Sequence, residues 1–379
     1  MNDTTVQKVI QDHPQHRLPP WAAAWSVAIL LALSFAAYAP SLFNGFVFDD
    51  NIQIVTNPWL KNPESLGDVF STNVAGYNKR YVTNYFRPLM YVTYAALYQA
   101  AGLNPFLYHL ANVLLHCGAV IVVFFLARTL LGSGNRNSFF ALLVPFFAAS
   151  LFAVHPIHSE AVMWVSALPD VAMTFFLLLS LYLYSITGEG DRTNKWQLGF
   201  SLVSYATALL FKEPAITFPF ILIAHDLSFK KAGSVLPWRR YLPYAAVTLF
   251  YLGARAHALG GMAPFNRYAS LTTGEMIINI ISLFPQYLRM LVIPTDLSAI
   301  YTLRPARSLA EPRVLFALLM TGLFLSALVI SFKKYRPVFF CLALFVIPLL
   351  PALYLPALGE SPLAERYLYL PSACFILMA

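Results

Sequence analysis

The chain has 379 residues, of which 59% are hydrophobic and only 11% are charged. Charged residues make up about a quarter of a soluble domain, so the composition excludes that class and indicates an integral membrane protein. The net charge of +8 comes from Lys and Arg scattered through short loops. Such loops orient a chain in a bilayer, and they give no nucleic-acid signal. The three cysteines lie within apolar runs, without a disulfide framework or a zinc-binding spacing.

The apolar runs predict an all-α polytopic membrane protein with about ten spans. The polar residues 1–20 form a tail that precedes an uncleaved first span, because the next run is too long for a signal peptide. The last run is shorter than the roughly 20 residues that a span requires, so we expect a fragment that is cut inside a helix. The expected spans are 21–40, 108–131, 138–154, 168–186, a hairpin within 197–228, 241–258, 313–332, 337–356 and a truncated one from 369.

The positions of the basic loops predict which ends of the helices face outward. Four short basic loops follow spans on the side of the N-terminal tail, which the positive-inside rule makes cytoplasmic. The first outer loop is then 41–107, and the outer side also receives the turns near 155–160 and 212–213, the segment 259–312 and the turn near 359–371. Two ambiguous apolar stretches, 86–102 and 276–294, are interpreted as helices in the outer interface, since spanning would move basic loops outward.

Unusual polar residues interrupt the outer ends of the predicted helices. Ionisable groups near a bilayer are costly and suggest function. A carboxylate can accept a proton from a hydroxyl nucleophile, and Arg or Lys can hold a phosphate and stabilise a leaving phosphate. Together with access to lipid, this chemistry suggests glycosyl transfer from a lipid-phosphate sugar. The residues are Asp49, Asp50, Arg87, His155, His158, Glu160, Asp170, Lys212, Glu213, Glu365, Arg366 and Tyr367.

Each of these features also has a plain structural interpretation. The Asp49-Asp50 pair could be solvated loop charge, and Lys212-Glu213 could be a local ion pair in a turn. The HPIHSE segment, 155–160, could cap a helix, or its histidines and Glu160 could ligate zinc, although no third strong ligand is evident. Arg366 could anchor the chain at the interface. Arg87 followed by proline could simply begin a helix.

Six motifs occur in an order that resembles a known family. They are FVFDDN at 46–51, YFRPL at 85–89, YHLANVLLH at 108–116, HPIHSEAVMWVSALPDV at 155–171, FKEPAITFP at 211–219 and AERYLYLPS at 364–372. The chain resembles membrane glycosyltransferases of the GT-C class. It is most similar to the transmembrane and tetratricopeptide-repeat O-mannosyltransferase family and its bacterial relatives. The resemblance covers residue 21 onward and implies one GT-C-like catalytic domain over 21–379. Members commonly carry tetratricopeptide repeats after this domain.

The resemblance implies a polyprenyl- or dolichyl-phosphate sugar donor and a Ser or Thr hydroxyl of an acceptor protein. Catalysis would occur on the luminal or periplasmic side of a bacterial inner membrane or the endoplasmic reticulum. By analogy, Asp49 is the base and Asp50 its support. The donor phosphate would bind Lys212, Arg366 and Arg87. The other residues would bind substrate or orient the acids: His155, His158, Glu160, Asp170, Glu213, Glu365 and Tyr367.

Several questions stay open from the sequence. A divalent cation could assist, although a Lys and Arg clamp makes one unnecessary. The transferred sugar is expected to be mannose or another hexose, but spacing does not reveal which hydroxyls are recognised. The alternatives are a transferase that acts on a lipid or polysaccharide, a polytopic transporter or flippase, and a non-catalytic scaffold. Transporters place charges near the bilayer midplane in paired repeats, whereas the charges here gather at helix ends.

Overall fold

A computed structural model describes residues 21–77, 83–131, 140–188, 194–230, 235–262, 268, 270–302, 304–354 and 362–378. The N-terminal tail, the first basic loop and parts of the other predicted loops therefore lie outside the described residues. Within the described ranges, the regular secondary structure consists of helices. The described residues form thirteen α-helices: α1 (Ala22–Tyr38), α2 (Pro88–Ala101), α3 (Pro105–Leu131), α4 (Phe140–Val154), α5 (Ser159–Met163), α6 (Leu168–Ile186), α7 (Lys195–Phe211), α8 (Phe218–Phe229), α9 (Trp238–Leu259), α10 (Thr273–Val292), α11 (Pro312–Lys334), α12 (Arg336–Leu353) and α13 (Tyr369–Met378).

Local sequence explains where many of these helices begin. Proline is the first residue of α2, α3 and α11, where its missing N–H would have no helical partner anyway. The side chain of Asn194 accepts hydrogen bonds from the first backbone N–H groups of α7. Thr272 and Glu275 form a reciprocal capping box at the start of α10. The helix boundaries are therefore fixed by the local sequence as well as by packing.

The helix α6 lies at the centre of the bundle. It packs against α3 and α7, and its buried residues run along most of its length. By contrast, α1 and α11 expose many large apolar side chains, as expected for helices whose outer faces contact lipid. The core consists largely of apolar and aromatic side chains from α3, α6, α7 and α8, with α13 packed against α12 and α4.

Five of the described helices are long and apolar enough to span a membrane. They correspond to α1 with its 3₁₀ extension, α3, α6 with the turn before it, α11 and α12. A sixth span is counted if the bent pair Ala141–Val154 and Pro156–Met163 crosses together. The structure thus confirms an all-helical protein with several candidate spans. The expected number of about ten is not confirmed, because other predicted spans form helices that do not pass the same test of length and composition.

The two ambiguous stretches form α2 and α10, and neither is among the candidate spans. The 14 residues of α2 are about 21 Å long at 1.5 Å per residue, which is shorter than the hydrocarbon core. The helix α10 is amphipathic and contains Pro285 and Arg289. Both observations agree with the interfacial interpretation of these segments.

The predicted break between the two apolar runs of 197–228 is also present. The helix α7 ends at Phe211, the short 3₁₀ helix Glu213–Thr217 follows, and α8 begins at Phe218. Lys212 itself is extended, so the helix is interrupted there. The break places Lys212 and Glu213 at one end of the bundle, beside the N-terminus of α6.

Candidate active site

A cavity of about 1000 Å³ opens at one end of the helix bundle. Its wall is built from segments at helix ends: the 47–53 stretch after α1, the loop before α2, the start of α5, the turn before α6 and the break between α7 and α8. The segments 297–302 and 365–367 complete it. Most of the predicted site residues meet here although they are far apart in sequence: Asp49, Arg87, Glu160, Asp170, Lys212, Glu365, Arg366 and Tyr367.

The two adjacent carboxylates have different surroundings. Asp49 is exposed and lines the cavity, whereas Asp50 is fully buried. The preceding residue, Phe48, has a φ of 46°, in the left-handed region that a bulky side chain rarely adopts. Phe48 also lines the cavity and packs edge-to-face against Trp164. Backbone strain of this kind is often concentrated at functional sites. The local conformation therefore sends neighbouring acids in different directions.

Asp50 ties the 47–50 turn to the turn before α6. One carboxylate oxygen accepts hydrogen bonds from the backbone N–H of Ser166 at 2.8 Å and from its hydroxyl at 2.5 Å. The other accepts from the N–H of Val47 at 2.9 Å. Burial raises the pKa of Asp50, while the hydrogen bonds from Ser166 and Val47 oppose that rise. Because it is buried and surrounded by donors, Asp50 is suited to positioning Asp49 rather than to meeting a substrate.

Arg87 is held in a two-pronged ion pair with Glu213. The guanidinium Nη2 lies 2.9 Å and Nε lies 3.0 Å from the same carboxylate oxygen, and the other oxygen accepts from the N–H of Phe86 at 3.0 Å. Both side chains are largely buried. Burial would raise the pKa of Glu213, but the Arg87 charge and hydrogen bonds outweigh it and lower that pKa. Glu213 stands behind the wall and fixes Arg87 on it.

Lys212 is buried and forms an ion pair with Asp170, in the first turn of α6. An acid is favourable there because the N-terminus of a helix carries partial positive charge. Burial lowers the pKa of Lys212 to about 8, although the charge of Asp170 opposes this. Its ammonium also lies 5.0 Å from the centre of the Tyr367 ring. Since an ammonium has three N–H donors, the Asp170 contact leaves it able to bind a second anion.

Arg366 is fixed from both its backbone and its side chain by Glu160. The backbone N–H donates to one carboxylate oxygen at 2.8 Å, and the guanidinium pairs with the other. The guanidinium carbon lies 5.1 Å from the Trp164 ring centre and 5.2 Å from that of Tyr367. Arg366 and Lys212 are thus both held beside Tyr367. Each of the three cations on the wall, Arg87, Lys212 and Arg366, is oriented by an ion pair with a carboxylate.

Glu365 differs from the other acids because its oxygen Oε1 accepts hydrogen bonds from a loop. The backbone N–H of Ser298 donates at 2.7 Å and the hydroxyl of Tyr301 at 2.8 Å. Burial raises the pKa of Glu365, and the hydrogen bond from Tyr301 opposes this rise. Burial likewise raises the pKa of Tyr301 to about 12. The Tyr301 phenol is thus protonated at neutral pH and can donate to Glu365.

The two histidines of the HPIHSE segment lie behind the cavity and do not line it. His155 caps the turn Pro156–His158, since its Nδ1 accepts a hydrogen bond from the N–H of Ile157 at 3.2 Å. His158 is buried, and its Nε2 lies 2.7 Å from the hydroxyl of Ser372. Within the described ranges, no group of three or more His, Cys, Asp or Glu could hold a metal ion. The segment thus shapes the backbone that presents Glu160.

Several lining residues were not predicted as site residues from the sequence, among them Tyr85, Trp164, Ser166 and Tyr301. Trp164 and Ser166 fall within the motif 155–171, and Tyr85 begins the motif 85–89. Their positions within recognised motifs were therefore a usable signal. Tyr301 belongs to no such motif, and only the fold brings the segment 297–302 to Glu365.

Comparison with curated proteins identifies sequence relatives of this chain. It is 27% identical to protein O-mannosyl-transferase TMTC3 of Homo sapiens, over 93% of this chain and 42% of that protein. It is 31% identical to TMTC2 of Mus musculus over 62% of this chain and 29% of that protein. For protein O-mannosyl-transferase F38B6.6 of Caenorhabditis elegans the identity is 25%, over 93% of this chain and 50% of that protein.

These matches span half or less of the length of each of these curated relatives. No family model matches the chain, and no solved structure matches it. The similarity nevertheless extends over almost all of the chain in relatives from different animals. The resemblance predicted from the sequence motifs is therefore confirmed: by sequence, this chain is a relative of the TMTC protein O-mannosyl-transferases.

Proposed function

We propose that this chain forms the catalytic domain of a membrane O-mannosyltransferase. It would move a hexose, mannose by analogy with the names of its relatives, from a polyprenyl- or dolichyl-phosphate donor to a Ser or Thr hydroxyl of a protein. The observation that carries the proposal is the cavity at one end of the bundle. There an exposed carboxylate, Asp49, shares a wall with the ion-paired cations Arg87, Lys212 and Arg366.

Asp49 is the general base in this mechanism. Its carboxylate lines the cavity, so a hydroxyl bound there can reach it, whereas the neighbouring Asp50 is enclosed by donors from Ser166 and Val47. As the acceptor oxygen bonds to the anomeric carbon, its proton passes to Asp49 and the bond from that carbon to the phosphate oxygen breaks. The electron pair of the broken bond leaves with the phosphate. This single displacement inverts the anomeric centre.

The three cations stabilise the phosphate as its charge increases. Preorganised cations stabilise a transition state well because they need little rearrangement during the reaction. Glu213, Asp170 and Glu160 supply that preorganisation by holding Arg87, Lys212 and Arg366 before the donor binds. The donor phosphate then binds to N–H groups on the other edges of these side chains. In this role the three acids act through the cations rather than by direct contact with the sugar.

The proposal includes a GT-C-like arrangement with about ten spans and the cavity on the luminal or periplasmic side. It is supported by the candidate spans and by the convergence of the outer helix ends predicted from the sequence on the cavity. The lipid of the donor would remain in the bilayer while its phosphate enters the cavity. A divalent cation is not required by this mechanism, because the three side chains supply positive charge.

The test uses the full-length protein in membranes with radiolabelled polyprenyl-phosphate mannose. We expect the wild type to transfer label to protein and the Asp49→Asn variant to lose at least about 10²-fold in rate, as expected for loss of a general base. Asp68→Asn is the matched control, since Asp68 is an exposed acid of the same loop outside the cavity. Near-normal transfer by the Asp49→Asn variant would refute the assignment of Asp49 as the general base.

Other results of the same assay would overturn the proposed acceptor or reaction. Label that reaches a lipid or a polysaccharide instead of protein would favour the alternative acceptors. Label that crosses the bilayer while still attached to lipid would favour a flippase. If the label stays on its donor, other lipid-linked sugars must be tested, and failure with all of them would refute a transferase.

A further inference from the structure

The segment 297–302 forms part of the cavity wall, and its polar attachment there is to Glu365. The oxygen Oε1 of Glu365 accepts from the N–H of Ser298 and from the Tyr301 hydroxyl. That hydroxyl also accepts from the same N–H of Ser298 at 2.8 Å. The Ser298 hydroxyl closes the turn by donating to the carbonyl of Ile300 at 3.0 Å. One buried carboxylate thus fixes both ends of a short turn.

The same segment begins next to an unusual backbone position. Asp296 has a φ of 58°, in the left-handed region, and its side chain forms an exposed ion pair with Arg289 at the end of α10. The segment 297–302 is mostly exposed, apart from Leu297 and Tyr301, which pack partly against the core. A short, exposed segment with few buried contacts opens at low free energy unless specific bonds hold it. The bonds to Glu365 are therefore important for its position.

Glu365 also adjoins the residues that would bind the donor phosphate. Arg366 and Tyr367 follow it directly in the chain, and both line the cavity. Glu365 itself is only 3% exposed, and its Oε1 is already occupied by two donors. These features suit a residue that acts through the loop rather than one that contacts a sugar.

We propose that Glu365 is a positioning residue that holds the segment 297–302 as a wall of the cavity and so retains the bound donor. The expected effect on donor binding rests on the proposed function, but the attachment of the segment 297–302 to Glu365 can be tested without catalysis. If the attachment is lost, the segment moves away from the wall and the donor dissociates faster. The expected effect is a higher KM for the donor with a smaller change in kcat, because Asp49 and the three cations stay in place.

The experiment compares Glu365→Ala, Tyr301→Phe and the double variant in the full-length protein. Tyr301→Phe removes the hydroxyl that donates to Glu365 and keeps the ring that packs against the core. Tyr335→Phe, at an exposed tyrosine outside the cavity, is the matched control. Backbone hydrogen exchange is measured over residues 296–302, and KM and kcat are measured with polyprenyl-phosphate mannose.

Glu365→Ala removes two hydrogen bonds from the segment, although the Ser298 N–H can still donate to the Tyr301 hydroxyl. We expect exchange of the segment and the donor KM to rise by at least about tenfold, the factor for the loss of one such hydrogen bond. Tyr301→Phe should change both quantities in the same direction by a smaller factor, because it removes only one of the two hydrogen bonds to Glu365. The double variant should be little worse than Glu365→Ala, because Glu365→Ala already removes the Tyr301 bond. Unchanged exchange in Glu365→Ala would overturn the proposal, whether or not transfer is observed.

A different pattern would show that Glu365 contacts the substrate itself. In that case Glu365→Ala would abolish turnover, while exchange of the segment would stay at the wild-type rate and Tyr301→Phe would behave as the wild type. If the wild-type protein transfers no sugar, the exchange data still decide whether Glu365 holds the loop. Failure of the proposed function and failure of this inference are thus distinguishable.

Discussion

Asp49 and Asp50 are adjacent, and the structure predicts opposite consequences when each is replaced by Asn. Asp50 is fully buried and accepts hydrogen bonds from the Ser166 N–H, the Ser166 hydroxyl and the Val47 N–H. An Asn side chain offers one acceptor oxygen and one donor amide in place of two acceptor oxygens. In Asp50→Asn, the amide therefore faces either the N–H of the buried Ser166 or the N–H of Val47, and that N–H loses its acceptor.

The loss of stability in Asp50→Asn can be estimated from the hydrogen bonds that Asp50 accepts. A buried donor without a partner costs about 1–3 kcal/mol, and hydrogen bonds to a charged acceptor are worth about 1.5–3 kcal/mol each. We expect Asp50→Asn to lower the free energy of unfolding by about 2–4 kcal/mol. In Asp49→Asn the replaced group is exposed to the cavity, so the free energy of unfolding should change by no more than about 0.5 kcal/mol.

The assay pairs an unfolding titration of the purified protein with the mannose-transfer measurement. Asp49→Asn should unfold like the wild type and be nearly inactive, whereas Asp50→Asn should unfold more easily. Ser166→Ala provides a second perturbation of the same contact, because it removes only the hydroxyl donor to Asp50. The reasoning is refuted if Asp50→Asn is as stable as the wild type, or if Asp49→Asn is the destabilised variant.

Three further predictions concern the cations. Because the pKa of Lys212 is lowered to about 8, raising the pH through that value removes its proton, and the transfer rate should decline above pH 8. The Lys212→Arg variant stays charged, so its pH–rate profile should lack this decline. The same decline in both proteins would contradict the assignment of Lys212 as the titrating group. Glu213→Leu leaves Arg87 largely buried without its partner and should lower the free energy of unfolding by about 3–5 kcal/mol. Adding Arg87→Met to the Glu213→Leu variant should recover part of that loss. A denaturant titration that finds no recovery would show that Arg87 and Glu213 are not coupled. Tyr367→Leu removes the ring beside Lys212 and Arg366 and should weaken donor binding by about 1–2 kcal/mol. Tyr367→Phe keeps the ring, so this variant should bind the donor as the wild type does. Equal binding by both variants would argue against a cation–π contribution.

The sequence alone determined the class of protein and named the charged residues on the cavity wall. Apolar runs with few charges can only be solvated by lipid or by one another, so the helical membrane architecture follows from composition and run length. The alternation of spans and basic loops predicted that Asp49, Lys212 and Arg366 lie at the same end of the bundle. Motif order was enough to recognise the family, because it does not depend on three-dimensional detail.

Only the tertiary structure decided which groups are paired and which face the cavity. Sequence spacing suggested a local Lys212–Glu213 ion pair, but an extended residue at the break turns these side chains apart, and each pairs with a distant residue instead. The same is true of Asp49 and Asp50, which diverge after the left-handed residue Phe48. Hydrophobic runs fix where helices form, whereas the partner of a buried charge depends on which distant backbone approaches it. That approach is set by packing of the whole bundle and cannot be deduced from neighbouring residues.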